Sequence, residues 1–146
     1  MRAVIQRVNR ASVVVNGECV GEIERGLLVL LGVEKNDGQS AADKLLNKVL
    51  DYRIFPDDDG KMNLSLKSIG GELLIVSQFT VAADTKKGLR PSFSSAAQPA
   101  LACELYEYWV KEAKSRLPKV ATGEFGSDMQ VSLVNDGPVT FILEAS

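Results

Sequence analysis

The stretch "RAVIQRVNRASVVVNGECVGEI", residues 2–23, decides how this chain begins to fold. Residues 2–8 and 11–15 place aliphatic and β-branched residues in the two-residue period of a strand. Asn16-Gly17 then offers the two left-handed positions that a type I′ turn requires, and "ECVGEI" returns as the partner strand. The chain therefore opens with an antiparallel hairpin.

Working outward, "GLLVLLGV" at 26–33 is a continuous apolar run, the pattern of a strand buried on both faces. From Ala41 to Tyr52 the apolar residues Ala42, Leu45, Leu46, Val49 and Leu50 recur at helical spacing. "FPDDDGKMN" lacks the spaced acidic ligands and closing glutamate of an EF-hand and reads as a turn. "GGELLIVSQFTVAA", 70–83, is a second apolar strand with a polar end. A second helix is expected from about Ala96 to Arg116, with Ala97, Leu101, Leu105, Tyr108 and Trp109 on one face and Ser95 and Gln98 as a capping box. Strands at 129–135 and 139–144 close the chain. The expected architecture is α+β: an antiparallel, barrel-like sheet with two packed helices, residues 1–146 forming one domain.

Composition narrows the function. Of 146 residues, 45% are hydrophobic and 25% charged, ordinary values for a water-soluble globular protein. No run is long enough for a transmembrane helix, so no membrane association is expected, and the N-terminal residues enter strand pattern without a signal-peptide core. A cytoplasmic protein is the expectation. Cys19 and Cys103 have no metal-type spacing and read as packing or surface thiols. There is no histidine, which excludes Ser-His-Asp and Cys-His catalysis and histidine zinc sites. Any reaction must use another base, a preorganised backbone, or a group on the substrate. With a net charge of −2, contact with nucleic acid would be local. Two basic clusters qualify: Lys86, Lys87 and Arg90 in a loop-like stretch, and Lys111, Lys114, Arg116 and Lys119 toward a helix end, where cations also complement the macrodipole.

Two short segments carry chemistry. Ser77-Gln78-Phe79-Thr80 ends an apolar strand in hydroxyl and amide groups, as binding residues at a sheet rim do; such hydroxyls can equally cap a strand end. In "VSLVNDGPVTFILEA", residues 131–145, Gly137-Pro138 separates two strand-like runs. A turn opening an edge strand accounts for that pair in isolation.

Together, "SQFT" and "NDGPVT" resemble the two signature motifs of the D-aminoacyl-tRNA deacylase family. "IQRVNRASV", "GLLVLLGV", "DYRIF…GKMNLS", "KGLRPSF" and "DMQVSLVNDGPVTF" resemble the same family in the same order, over essentially the whole chain. Val81, where the family often has Leu, is a conservative departure. The resemblance implies a homodimer that cleaves the ester joining a D-amino acid to the 3′ end of tRNA, and no cofactor or metal site is expected. It implies a cis Gly137-Pro138 bond inserted into the neighbouring subunit's site, where rigid carbonyls hold the α-amino group and exclude an L side chain. Glycine, and so glycyl-tRNA mischarged on tRNA(Ala), would pass such a filter. It also places Ala102 and Met129 beside the pocket lined by Ser77 and Gln78. The missing histidine then fits a reaction assisted by the ribose 2′-hydroxyl, with Phe79 and Thr80 N–H groups as an oxyanion hole. Thr80 as nucleophile is the alternative, though no base is evidently placed to activate it. A non-catalytic RNA-binding barrel and a general esterase using Thr80 or Ser77 compete with this reading. The barrel lacks the exposed aromatic set of single-strand binders.

Overall fold

Strand β1 runs without interruption from Arg2 to Val15 in the computed structural model, which describes residues 1–146. Asn16 and Gly17 turn at φ +50° and +81°, and β2 (Glu18–Ile23) returns with Val15 opposite Glu18. β3 (Gly26–Gly32) continues along the same edge of β1, pairing Val8 with Gly26 and Arg2 with Gly32.

The expected purely antiparallel sheet is not what forms. β6 (Glu72–Ser77) lies parallel to β3, and β7 (Val120–Thr122) lies parallel to β6, so the barrel-like sheet is mixed. The reason lies in the connections. Helix α1 (Gln39–Asp51) and helix α3 (Pro99–Arg116) precede β6 and β7 and act as crossovers, and crossovers join parallel strands. β3 and β6 are consequently covered on both sides. Leu27, Val29, Leu31, Leu73 and Ile75 face a core shared with the helices, while Leu28, Leu74 and Val76 face the barrel interior with Val8, Ala11, Val13 and Val15.

Of the helices, α1 buries the apolar residues that its periodicity named. α3 begins later than expected, at Pro99, whose fixed φ suits the first helical position. The Ser95 capping box does not form, because Ser95 Oγ instead donates to the Ala82 carbonyl at 2.7 Å. α3 buries Leu105, Tyr106, Trp109 and Ala113; Tyr108 is half-buried and donates to Asp43 of α1 at 2.6 Å. A third, one-turn helix, α2 (Leu66–Ile69), was not expected; Ser65 and Ser68 cap it reciprocally and Gly70 ends it at φ +64°. The aspartate-rich turn joins a small hairpin, β4 (Arg53–Pro56) with β5 (Met62–Ser65), also not foreseen.

The two expected C-terminal strands are one, β8 (Gln130–Glu144). Both halves lie on the edge of β1 opposite β2 and β3: Val14 faces Gln130 and Arg2 faces Glu144. Between Gln6, opposite Thr140, and Arg10, opposite Val134, β8 carries more residues than β1, and the excess loops out as a wide bulge at Asp136–Pro138. The Gly-Pro pair is therefore a bulge within a strand and not a turn between two. The other edge of β8 has no partner strand in the chain. No helix is long and apolar enough to cross a membrane.

Candidate active site

The Ser77–Thr80 segment begins where β6 stops. Gln78 N–H donates to the Leu31 carbonyl at 2.8 Å, the last rung holding this segment to β3. The backbone then turns into a 3-10 helix, Phe79–Ala82, so the strand expected to reach residue 83 ends at Ser77. Val81 N–H donates to the Gln78 carbonyl at 3.1 Å as the first donor of that helix. The Phe79 and Thr80 N–H groups precede it and have no acceptor within the helix. Both N–H groups are left for an acceptor from outside the helix.

A cavity of about 620 Å³ opens beside this turn. Ser77, Gln78 and Phe79 form one wall, Gln98, Pro99 and Ala102 at the start of α3 a second, and the loop Phe125–Met129 a third. Most of the lining is apolar, with a few polar groups among it, the usual constitution of a small-ligand site. Ala102 and Met129, far apart in sequence, thus meet the Ser77–Phe79 segment.

Thr80 is exposed and outside the lining; its Oγ1 accepts from Gln78 Nε2 at 2.5 Å. That contact occupies a lone pair of the hydroxyl and supplies no base to activate it. Cys103, next to Ala102, is no better nucleophile. Burial, followed by a hydrogen bond and charge from Glu107, raises the pKa of its thiol.

Gly137 and Pro138 are exposed and do not line the cavity of their own chain. Their peptide bond is cis and Gly137 has φ +127°. The bulge is tied down from both ends. Asn135 Oδ1 accepts from the Val139 N–H at 3.1 Å and its Nδ2 donates to Thr140 Oγ1 at 3.0 Å. From β1, Arg7 donates to the carbonyls of Asp136, at 3.2 Å, and Ile54, at 2.7 Å, and pairs with the Asp136 carboxylate at 3.4 Å. A Cβ at position 137 would lie 2.8 Å from Val139 Cγ2 and 3.2 Å from Arg7 Nη2, so glycine is required both by φ and by space.

Sequence reasoning did not single out Arg7 or Phe93. Arg7 sits in an apolar strand with its side chain only 12% exposed, and an arginine in that pattern was the available signal. Phe93, in the cavity wall, packs against Phe79 in a tilted pair, with ring centroids 5.0 Å apart and planes 47° apart. Phe79 is 60% and Phe93 42% exposed, high values for large apolar rings in a cavity wall.

Of the basic residues, Lys86, Lys87 and Arg90 occupy an exposed loop closed by the paired backbones of Asp84 and Ser92, between the 3-10 helix and Phe93. Along the chain this loop lies between two residues of the cavity lining, Phe79 and Phe93. Lys111 and Lys114 are exposed on the last turns of α3, whose first turn forms the cavity wall. At 1.5 Å rise per residue Lys114 stands roughly 18 Å from Ala102 along the axis. Arg116 and Lys119 of that cluster pair with Glu112 and Glu72.

The model of the D-Tyr-tRNA(Tyr) deacylase family matches residues 4–144. A D-aminoacyl-tRNA deacylase of Pseudoalteromonas translucida is 66% identical over 143 residues, covering 98% of this chain and 99% of that protein. One of Haemophilus influenzae is 65% identical over the same shares. Among solved structures, one described as c-Myc DNA Unwinding Element Binding Protein superposes with a TM-score of 0.96 at 39% identity, covering 100% of this chain and 99% of its own. A probable eukaryotic D-amino acid tRNA deacylase has a TM-score of 0.78 at 20% identity over 98% of each chain, a likeness of fold. With its strand-end motif, its cavity and its Gly-Pro bulge all inside the matched span, the chain belongs to the D-Tyr-tRNA(Tyr) deacylase family, whose members are hydrolases.

Proposed function

We propose that the chain hydrolyses the ester of D-aminoacyl-tRNA in the cavity between the end of β6 and the start of α3. The observation that carries this reading is the pair of unpartnered N–H groups at Phe79 and Thr80 beside an apolar-walled cavity, in a chain without histidine. Water adds to the ester carbonyl and the resulting oxyanion is held by the two N–H groups. The bond to the ribose 3′ oxygen breaks, and that oxygen takes up the water's proton, relayed by the neighbouring 2′-hydroxyl. Gln78 fixes the turn through Thr80, while Ser77, Ala102 and Met129 shape the acyl end. Phe79 and Phe93 stack on the terminal nucleoside.

The active unit is a homodimer. Supporting this, β8 leaves a long edge unpaired, with Val134, Phe141 and Ile142 exposed, and unpaired edges seek partner strands. Gly137-Pro138 of one copy enters the site of the other, holds the α-amino group through backbone carbonyls, and leaves no space for an L side chain. Glycyl esters, including glycyl-tRNA(Ala), pass. Lys86, Lys87 and Arg90 bind acceptor-stem phosphates beside the cavity mouth, with Lys111 and Lys114 as a more distant contact.

The test is hydrolysis of matched D- and L-aminoacyl-tRNA, of D-aminoacyl-tRNA ending in 2′-deoxyadenosine, and of a simple ester, by the natural chain and Thr80→Ala. Thr80→Ala retains appreciable activity, the 2′-deoxy substrate is inert, and the L form and simple ester survive. Complete loss in a folded Thr80→Ala chain would make Thr80 the nucleophile instead.

A further inference from the structure

Gly123 follows β7 and is not part of the cavity lining, yet it supports the Met129 wall from behind. Its N–H donates to the Ile75 carbonyl at 3.0 Å, which pins it against β6. Its φ lies outside the left-handed region, so its backbone does not require glycine. A Cβ there would lie 2.6 Å from the Met129 sulfur, a separation that real Cβ atoms do not tolerate. The same sulfur accepts from the Glu124 N–H at 3.4 Å, closing the 124–129 loop on itself.

A Cβ at position 123 would therefore dislodge the thioether, and the surroundings decide where it goes. Val13, fully buried, closes the barrel side, its methyl carbons 3.6 and 3.8 Å from that Cβ position. Val13 leaves little room on that side, so it is the flexible, half-buried Met129 side chain that moves. The open direction is the cavity, where Met129 stands among Val76, Val131 and Ala102.

We propose that Gly123 is a positioning residue that seats Met129 in the cavity wall and thereby sets the room available to the aminoacyl end of the substrate. The identity of that substrate rests on the deacylase reading; the seating of Met129 does not. The experiment is a double-mutant cycle of Gly123→Ala and Met129→Ala in the full chain, with kcat and KM measured on D-tyrosyl-tRNA(Tyr). Gly123→Ala lowers kcat/KM by about tenfold or more, chiefly through KM. In the Met129→Ala background the same change has no further effect, since its target is gone. An equal factor in both backgrounds, or none in the natural chain, overturns the proposal. If Gly123→Ala alone does not fold, the double variant decides. A double variant folded and matching Met129→Ala supports the seating, and an unfolded one refutes it.

A second measurement needs no substrate. The chain has 3 methionines, so the 13C-methyl resonance of Met129 is readily assigned. Gly123→Ala shifts it; an unmoved resonance refutes the proposal. An inactive natural chain would refute the deacylase reading, and the methyl resonance would still report on position 123.

Discussion

Replacing Arg7 by methionine removes the clamp on the Gly137-Pro138 bulge while keeping most of the apolar stem. Three interactions disappear: donation to the Ile54 carbonyl at 2.7 Å, donation to the Asp136 carbonyl at 3.2 Å, and the ion pair with the Asp136 carboxylate at 3.4 Å. A hydrogen bond involving a charged donor contributes about 1.5–3 kcal/mol. The Asp136 carboxylate is 43% exposed, so its ion pair adds only about 0–1 kcal/mol and less at high salt. The Asp136 carbonyl stands in an exposed bulge and can turn to water, whereas the Ile54 residue is buried. Counting one carbonyl in full and the remainder as small gives a loss of about 2–3 kcal/mol. For a chain of this size each kcal/mol moves Tm by about 3–4 °C, so Tm falls by roughly 6–12 °C. Circular dichroism follows that transition, and initial rates on D-aminoacyl-tRNA at 25 °C follow function where the variant is still folded. The expected rate loss is about tenfold or more, because a loosened bulge no longer presents its carbonyls in register. Arg7→Lys keeps the charge but not the fork that reaches two carbonyls, and loses nearly as much rate with a smaller drop in Tm. A folded Arg7→Met chain with full kcat/KM refutes the clamp, and an unchanged Tm refutes the energetic account.

Gly137→Ala meets Val139 Cγ2 at 2.8 Å in a backbone unsuited to L residues. The bulge should shift and discrimination between D- and L-aminoacyl-tRNA should weaken, as paired hydrolysis assays would show; full retention of both rate and selectivity speaks against a filter at this position. Neutralising Lys86, Lys87 or Arg90 reduces the slope of log K against log salt by about one unit per true phosphate contact in tRNA filter binding, equally for all tRNAs. Donation to Asp43, with burial and the nearby charge adding, pushes the Tyr108 phenol up from its ordinary value of 10.0 to about 12. The folded value is raised, so the contribution of this contact is present below pH 10 and fades as pH rises through 12. An ultraviolet tyrosinate titration should lose its step near pH 12 in Tyr108→Phe; an unchanged titration contradicts the assignment.

The elements legible in the sequence are those whose signal is local. Asn16-Gly17 specifies its own turn, the α1 periodicity names its own buried face, and the unbroken apolar run of β3 announces burial on both sides. That run did not reveal the direction of its neighbours, and an antiparallel sheet was expected, because β3 pairs in parallel with β6, a strand far along the chain that only the crossover brings beside it. β7 and the β4–β5 hairpin are too short to show a period, and α2 is a single turn. Ser95 illustrates competition: its hydroxyl suited a helix cap, and the Ala82 carbonyl, invisible from the local sequence, claimed it.

For the site, the residue types and spacing of Ser77–Thr80 and of Asn135–Thr140 were enough to mark both segments, and family resemblance tied Ala102 and Met129 to the first. Composition by itself removed histidine chemistry. What only the tertiary structure decided is how these parts stand to one another. The strand was expected to continue through Thr80, and its turn into a 3-10 helix, set by where β3 ends, is what leaves the Phe79 and Thr80 N–H groups free. Gly137-Pro138 read as a turn because strand pairing is not local: β1 is long enough to take both halves of β8 along one edge, which makes the interruption a bulge. Arg7 and Gly123 acquire their roles only there, because a guanidinium reaching two carbonyls and a missing Cβ beneath a sulfur are relations between distant segments, which no single stretch of sequence contains.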